Sequence, residues 1–316
     1  MAINADKPHL WKGDIAASVD LFNDWFLRFA PDVFRKTRKK TTVQVEAALL
    51  ATRDLRDIGA SSLKNTPAVL PILRMSTAPP LARDRLVGLA GVNKSLVSRL
   101  EAGLLPTRMA VATLDEQLAR ISAIITRLLD EDVFPWLAGG AKPKSHERTR
   151  AATIVADRLC GAVSDPIVRN AQEQRQLALL ERELTQRGYR RARDLAGRLF
   201  TDMQPGTFAF RLNIVVGTDR KVNIPVDVVI QPKRPQPGGF PILLEAKSAG
   251  DFTNTNKRRK EEATKIHQLR ATYGPQVQLV LFLCGYFDSG YLGYSAAEGL
   301  DWIWEHRLAD LDSLGL

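Results

Sequence analysis

Pro241-Ile242-Leu243-Leu244-Glu245-Ala246-Lys247-Ser248 decides how this chain is read. An apolar run leads into an acid and a lysine separated by one alanine. In an extended strand, residues two apart leave the same face, so Glu245 and Lys247 are neighbours by geometry. The apolar run before it, Ile224-Pro225-Val226-Asp227-Val228-Val229-Ile230, carries a carboxylate in a setting where an uncompensated charge is costly. Pro232 to Gly239 between them is turn material, and a connection of that length lets the two strands pair side by side. Asp227 is then brought toward Glu245, with Lys247 at the edge of a two-carboxylate pocket.

Working outward, Thr207 to Val216 and Lys221 to Ile230 are alternating or β-branched runs separated by Gly217-Thr218-Asp219-Arg220, so three strands form a meander. Upstream, Asp165-Pro166 offers an N-cap with proline at the first helical position, which predicts a helix from there to about Arg187, stopped by Gly188. Downstream, Asn256 to Thr272 reads as a helix, Val277 to Cys284 as a strand buried on both faces, and Ala296 to Leu311 as a closing helix. The pattern predicts an α/β fold: a mixed sheet covered by helices on both faces. From Ile15 to Leu129, by contrast, apolar residues recur at three- and four-residue spacing, as in Leu118, Ile121, Ile125 and Leu128, which predicts an all-helical N-terminal domain. Gly139 to Ser145 breaks that pattern, placing the boundary near residue 150: a helical domain over 1–150 and a catalytic domain over 151–316.

Composition narrows the function. No stretch approaches the continuous apolar length that spans a bilayer, and the first residues, Met1 to Lys7, lack the basic start and apolar core of a signal peptide, so a cytoplasmic protein is expected. Two cysteines far apart, Cys160 and Cys284, exclude a disulfide framework and a cysteine-rich zinc site, and both read as buried bystanders. The net charge of +10 draws the chain toward polyanions.

The acidic pocket gives that charge a chemistry. Two carboxylates on rigid strands repel unless a cation sits between them, and hard oxygen ligands with open positions suit Mg²⁺. Such an ion polarises a phosphodiester and lowers the pKa of water, while Lys247 positions the nucleophile and offsets charge on the phosphate. A buried salt-bridge cluster is the alternative, and the apolar setting of both acids favours catalysis over it. Glu173 shares a helical face with Leu177, Leu180 and Leu184 and so points inward, either as a further metal ligand through water or as the partner of an arginine such as Arg169.

Directly after the pocket strand comes Ser248 to Lys260, in which Asn254 and Asn256 cap a helix or read base edges. Lys257, Arg258, Arg259 and Lys260 oppose the helix dipole unless phosphates satisfy them, although Glu261 and Glu262 offer internal partners. Asp251 fits a turn at least as well as a metal site. A second DNA-like feature is Leu81 to Gly103, where Gly91 separates two short helices as in a helix-turn-helix, presenting Lys94, Ser95, Ser98 and Arg99 for DNA contact; an ordinary helical hairpin, or a dimer contact, would look the same. Arg35, Lys36, Arg38, Lys39 and Lys40 add a basic segment that also fits a solvated surface.

Pro225 to Asp227 followed by Glu245-Ala246-Lys247 resembles the signature of the PD-(D/E)XK nucleases, with Val226 separating the proline from the acid. Most of the chain resembles the XamI family of type II restriction endonucleases, including Asn4 to Pro8, Phe22 to Phe26, Pro80 to Leu86 and Glu245 to Glu262. The resemblance implies a restriction-endonuclease-like core and magnesium-dependent double-strand cleavage at a palindrome, GTCGAC for the prototype. By position it makes Asp227 and Glu245 metal ligands and Lys247 the catalytic lysine, and gives Glu173 no counterpart. A palindrome in turn implies a homodimer and a cognate DNA methyltransferase. A repair or junction nuclease on the same core, and a helix-turn-helix regulator without catalysis, are the competing functions.

Overall fold

The computed structural model describes residues 2–140, 142–192, 199–217, 220–253 and 255–316, the side chains of 256–259 excepted. The described residues form a mixed α/β protein whose six strands make one sheet and whose N-terminal region is helical. Two compact units emerge. One gathers residues 30–168, and the other gathers 1–29 with 169–316. The division therefore falls at 168/169 rather than near 150, and the first 29 residues belong with the sheet. Sequence periodicity identifies these residues as helical and is silent on which core a helix joins.

The helical unit holds the end of α1 (Pro8–Ala51), α2 (Ala60–Asn65), α3 (Leu70–Met75), α4 (Arg83–Ala90), α5 (Lys94–Glu101), α6 (Val111–Leu128), α7 (Trp136–Gly139) and the start of α8 (Ser145–Gln186). Leu118, Ile121 and Ile125 pack inward with Leu63, Leu86, Leu96 and Leu100. The predicted helix start at Asp165 is overturned: α8 runs through it, with Pro166 in its interior. The proline removes one N–H, and the carbonyl it would have served, on Ala162, belongs to an exposed residue that water can satisfy.

In the other unit the sheet runs in chain order, β1 (Arg190–Arg191), β2 (Thr207–Val216), β3 (Val222–Gln231), β4 (Ile242–Ala249), β5 (Leu279–Gly285) and β6 (Asp301–Trp304). β2, β3 and β4 form the antiparallel meander, and β4, β5 and β6 are parallel, joined through α9 (Thr255–Tyr273) and α10 (Ser289–Ala297). One face packs Phe208, Val228, Ile230, Leu244 and Phe282 against Leu177, Leu180 and Leu184 of α8. The other packs Val229, Leu243, Leu281, Trp302 and Trp304 against Ile266 and Leu269 of α9 and Tyr291 and Leu292 of α10. Helices thus cover both faces. The closing helix predicted over Ala296 to Leu311 is replaced by the end of α10, strand β6 and a 3₁₀ turn at Leu308–Leu314. Trp302, Ile303 and Trp304 are aromatic and β-branched, and burying them alternately on the two faces outweighs the weak helical spacing.

The chain's first residues are tied to this last strand. Asp301 accepts from the backbone N–H groups of Ile3, Asn4 and Ala5, while Asn4 donates to the Trp302 carbonyl and to Asp310. Arg307 adds bonds to Asp14 and Asn4. Ser18 of α1 accepts from the N–H of Gly285 at 2.7 Å, where β5 ends beside Ala249. Gly285 has φ of +101°, and a Cβ there would stand 2.1 Å from the Ala249 carbonyl oxygen. Gly285→Ala is therefore expected to lower the urea midpoint by an amount worth about 3 kcal/mol, and an unchanged midpoint would refute this tight approach. Among the described residues, no helix is long and apolar enough to cross a membrane, and both cysteines are free and buried.

Candidate active site

The β3–β4 ladder pairs Ile230 with Ile242, Val229 with Leu243 and Val228 with Leu244, then stops. Continuing the register by one step sets Asp227 opposite Glu245. There a side chain takes over from the main chain: the Ala246 N–H, next along β4, donates to Asp227 Oδ2 at 2.9 Å. The local fold explains why the ladder ends at this point. Phe208 and Phe210 of β2 and Val228 and Ile230 of β3 face the α8 layer, whereas Leu212, Ile214, Ile224 and Val226 face the α9 layer. Both strands change sides between these groups, at Arg211 and Asp227. Arg211 has φ of +55°, the left-handed region that a non-glycine residue occupies at a cost. The twist lifts the Asp227 carboxylate out of the regular pleat and aims it along β4.

Glu245 is buried on the α9 side of the sheet, in a row with Leu281 and Trp302. Its Oε1 is held by the Lys265 ammonium, which also donates to the Pro225 carbonyl at 2.7 Å. Its Oε2 is buried, and no hydrogen-bond partner among the described residues reaches it. Burial first, and the Glu245 charge second, push the Asp227 carboxyl up to about 6, and Lys247 pulls it back. When protonated, Asp227 hydrogen-bonds Glu245, which adds to the rise, while the Ala246 N–H opposes it. Lys247 points to the same side as Glu245, with Nζ 3.6 Å from Glu262 Oε1, and the buried Glu262 also accepts from the Tyr291 hydroxyl.

Asp227, Glu245 and Lys247, separated in sequence, thus meet in one place. Two carboxylates on adjacent strands, with a buried oxygen left without a donor among the described residues, form a donor set that fits a hard divalent cation. Among the described residues, no group of three histidine, cysteine or acidic side chains is placed to hold one metal ion, so water and phosphate would supply the other positions. Lys265 escapes the sequence reading, and Glu262 enters it as a partner for the basic run rather than as a pocket residue. Their spacing with Ile266 and Leu269 places them on the inward stripe of α9, and that was the available signal.

Glu173 does not turn inward. It is half-exposed and pairs with Arg211 at 2.7 Å, rather than with Arg169 or with the carboxylates. The buried polar positions of α8 are Gln172 and Gln176, and the apolar stripe of that helix covers the opposite sheet face from Glu245. Asp251 accepts from the Thr253 N–H at 2.9 Å, a turn interaction.

Of the proposed DNA contacts, Asn254 and the side chains of Asn256, Lys257, Arg258 and Arg259 lie outside the described residues, and Lys260 is exposed on α9. The Leu81 to Gly103 segment forms α4 and α5 around Gly91, whose φ of +58° closes the first helix, and Asn93 caps the second by accepting from the Ser95 N–H. Lys94 is exposed and 3.0 Å from Asp84, and Ser98 is half-buried. Arg99 donates twice to the Leu105 carbonyl, which engages its guanidinium within the unit. In the basic segment of α1, Lys36 pairs with Asp32 and Arg38 with Asp157.

The XamI restriction endonuclease family matches residues 53–304. The type II restriction enzyme SalI of Streptomyces albus G is 59% identical over 313 residues, covering 99% of this chain and 99% of that enzyme. Among solved structures, protein VC1899 of Vibrio cholerae matches with a TM-score of 0.29 and 13% identity, over 80% of this chain and 55% of that one.

Proposed function

Because the chain belongs to the XamI restriction endonuclease family and is a type II restriction enzyme, a site-specific endodeoxyribonuclease acting on double-stranded DNA, we propose that it hydrolyses DNA at a short palindrome through a magnesium centre built on Asp227 and Glu245, with Lys247 as the catalytic lysine. The observation that carries this reading is the buried Glu245 Oε2, left without a donor among the described residues, beside a second carboxylate whose proton affinity is raised. A buried salt-bridge cluster would have its oxygens satisfied.

In this reading Asp227 and Glu245 hold Mg²⁺, which when bound polarises the scissile phosphodiester and acidifies a water molecule. Lys247 lies on the same side of β4 and holds a positive charge at the mouth of the pocket, where it orients the nucleophile and offsets the charge that builds on phosphorus-bound oxygens. Glu262 and Tyr291 fix the reach of Lys247. This is the arrangement of a PD-(D/E)XK nuclease. Glu173, paired with Arg211, is left out of the metal set.

The target proposed is GTCGAC, read as a two-fold site by a homodimer in the cytoplasm and guarded in the host by a cognate methyltransferase. Lys260 and the neighbouring residues 254–259 lead from the pocket strand and are proposed to meet phosphates and base edges. The helical unit, through Lys94 and Ser98, serves DNA contact or dimerisation. Digestion of a plasmid of known sequence tests the whole reading. Discrete fragments ending at GTCGAC in Mg²⁺, and none in EDTA, are expected; a smear or nicking at junctions would replace it with a structure-selective nuclease.

A further inference from the structure

Lys265 is the described cation that pairs with the Glu245 carboxylate. It arrives from α9 with its side chain 17% exposed, and Glu245 is almost fully enclosed, so water screens this contact little. The ammonium occupies the place at Oε1 that a metal ion would compete for. Its second acceptor, the Pro225 carbonyl at 2.7 Å, belongs to β3 two residues before Asp227 and is not a carboxylate. Leaving Glu245 therefore does not release Lys265 from the pocket, because Pro225 retains it at the edge.

Among the described residues, the pocket sets the carboxylates of Asp227, Glu245 and Glu262 against the ammonium groups of Lys247 and Lys265. A divalent ion that enters alone must displace the Lys265 ammonium from its carboxylate while adding two positive charges to an enclosed site, and a phosphodiester that enters with it offsets part of that charge. Cation and phosphate are each favoured by the other, and the lysine already seated on Glu245 makes the DNA-free site a poor competitor for metal.

We propose that Lys265 is a charge-balancing positioning residue that couples metal binding to DNA binding: it occupies Glu245 in the free enzyme and gives way when a phosphodiester and a divalent cation enter together. The proposal rests on the reading of Asp227 and Glu245 as metal ligands. It assigns to α9 the task of keeping the enzyme poorly loaded until DNA is present. Lys247 does not share this task, since it is held by Glu262 rather than by a metal ligand.

Calorimetric titration with Ca²⁺ tests the coupling without relying on cleavage. Wild type, Lys265→Met, Lys265→Arg and Glu245→Gln are titrated alone and with a duplex containing the sequence that the digest identifies. Wild type is expected to bind Ca²⁺ roughly tenfold or more tightly with the duplex than without it. Lys265→Met is expected to raise the DNA-free affinity by roughly tenfold or more and to flatten the gain from DNA, while Lys265→Arg behaves as wild type. Circular dichroism melts check that the variants are folded. Ca²⁺ binding that Glu245→Gln abolishes but Lys265→Met leaves unchanged or weakens overturns the role of Lys265 alone. No Ca²⁺ binding by any protein, with or without DNA, overturns the metal reading and this proposal with it.

Discussion

Lys247→Ala is expected to abolish measurable cleavage, a loss of roughly 10³-fold or more, while DNA affinity in Ca²⁺ changes by no more than about threefold. The ammonium lies on the carboxylate side of β4, close enough to pull the Asp227 pKa down, and its partner Glu262 is held in turn by Tyr291. A lysine so fixed contributes at the reacting phosphate, where charge develops, and little to the many contacts that retain duplex DNA. The change also removes the Lys247 ammonium from the buried Glu262 carboxylate, so some stability is lost, and thermal melts must accompany the kinetics. Single-turnover cleavage with bound enzyme in excess separates the two effects. A rate within about tenfold of wild type would remove Lys247 from the chemistry.

Asp227→Asn is expected to produce the opposite pairing, an inactive protein that is harder to unfold. The Asp227 carboxyl titrates at about 6 in the folded protein against 3.8 in its ordinary state. Between those values the native state binds more protons than the unfolded chain, so stability falls as pH rises through that window and stays lower above it. The difference corresponds to up to about 3 kcal/mol at pH 7.5. Asparagine carries no charge to bury and keeps an oxygen for the Ala246 N–H. Metal-free Asp227→Asn should therefore melt several degrees above wild type at pH 7.5, with the gap closing below about pH 4. Adding Mg²⁺ should raise the melting temperature of wild type and leave that of the variant unmoved. A variant that melts lower than wild type at pH 7.5 without metal would show that the carboxylate is a stabilising partner and not a strained ligand. The same titration implies that Mg²⁺ binding weakens as pH falls through about 6, because proton and cation compete for the Asp227 carboxylate.

Much of the sheet was legible because its signals are local. β2 to β4 carry alternating or apolar runs with turn residues between them, and the pocket acids betray themselves by interrupting those runs. β6 was not legible: Asp301-Trp302-Ile303-Trp304 is too short to show a period, and its strand state comes from pairing with β5 and burial on both faces. Pro166 misled because a proline signals a helix start only if the chain before it is not already helical. The centre was legible to the extent that it lies on strands, where side-chain direction follows from parity. Glu173 was read inward from spacing alone, yet the phase of α8 against the sheet buries Gln172 and Gln176 instead. Glu262 and Lys265 were hidden for a related reason. A run of charges on a helix gives no sign of which member turns inward until the helix is docked, and here Ile266 and Leu269 set that docking. The turn of both β2 and β3 at Arg211 and Asp227 depends on two strands twisting together, and no single-strand pattern announces it.

The bonds from Asp301 to the backbone of Asn4 join residues 297 apart, and this has a consequence for how the enzyme comes into being on the ribosome. Residues 30–168 form a continuous stretch that has all its core partners early in synthesis. The sheet-bearing unit draws on both ends of the chain and must wait for β6 before Ile3 and Asn4 have anywhere to dock. The sheet-bearing unit is thereby expected to complete its packing only after residues 301–310 have been translated, whereas residues 30–168 can fold before them.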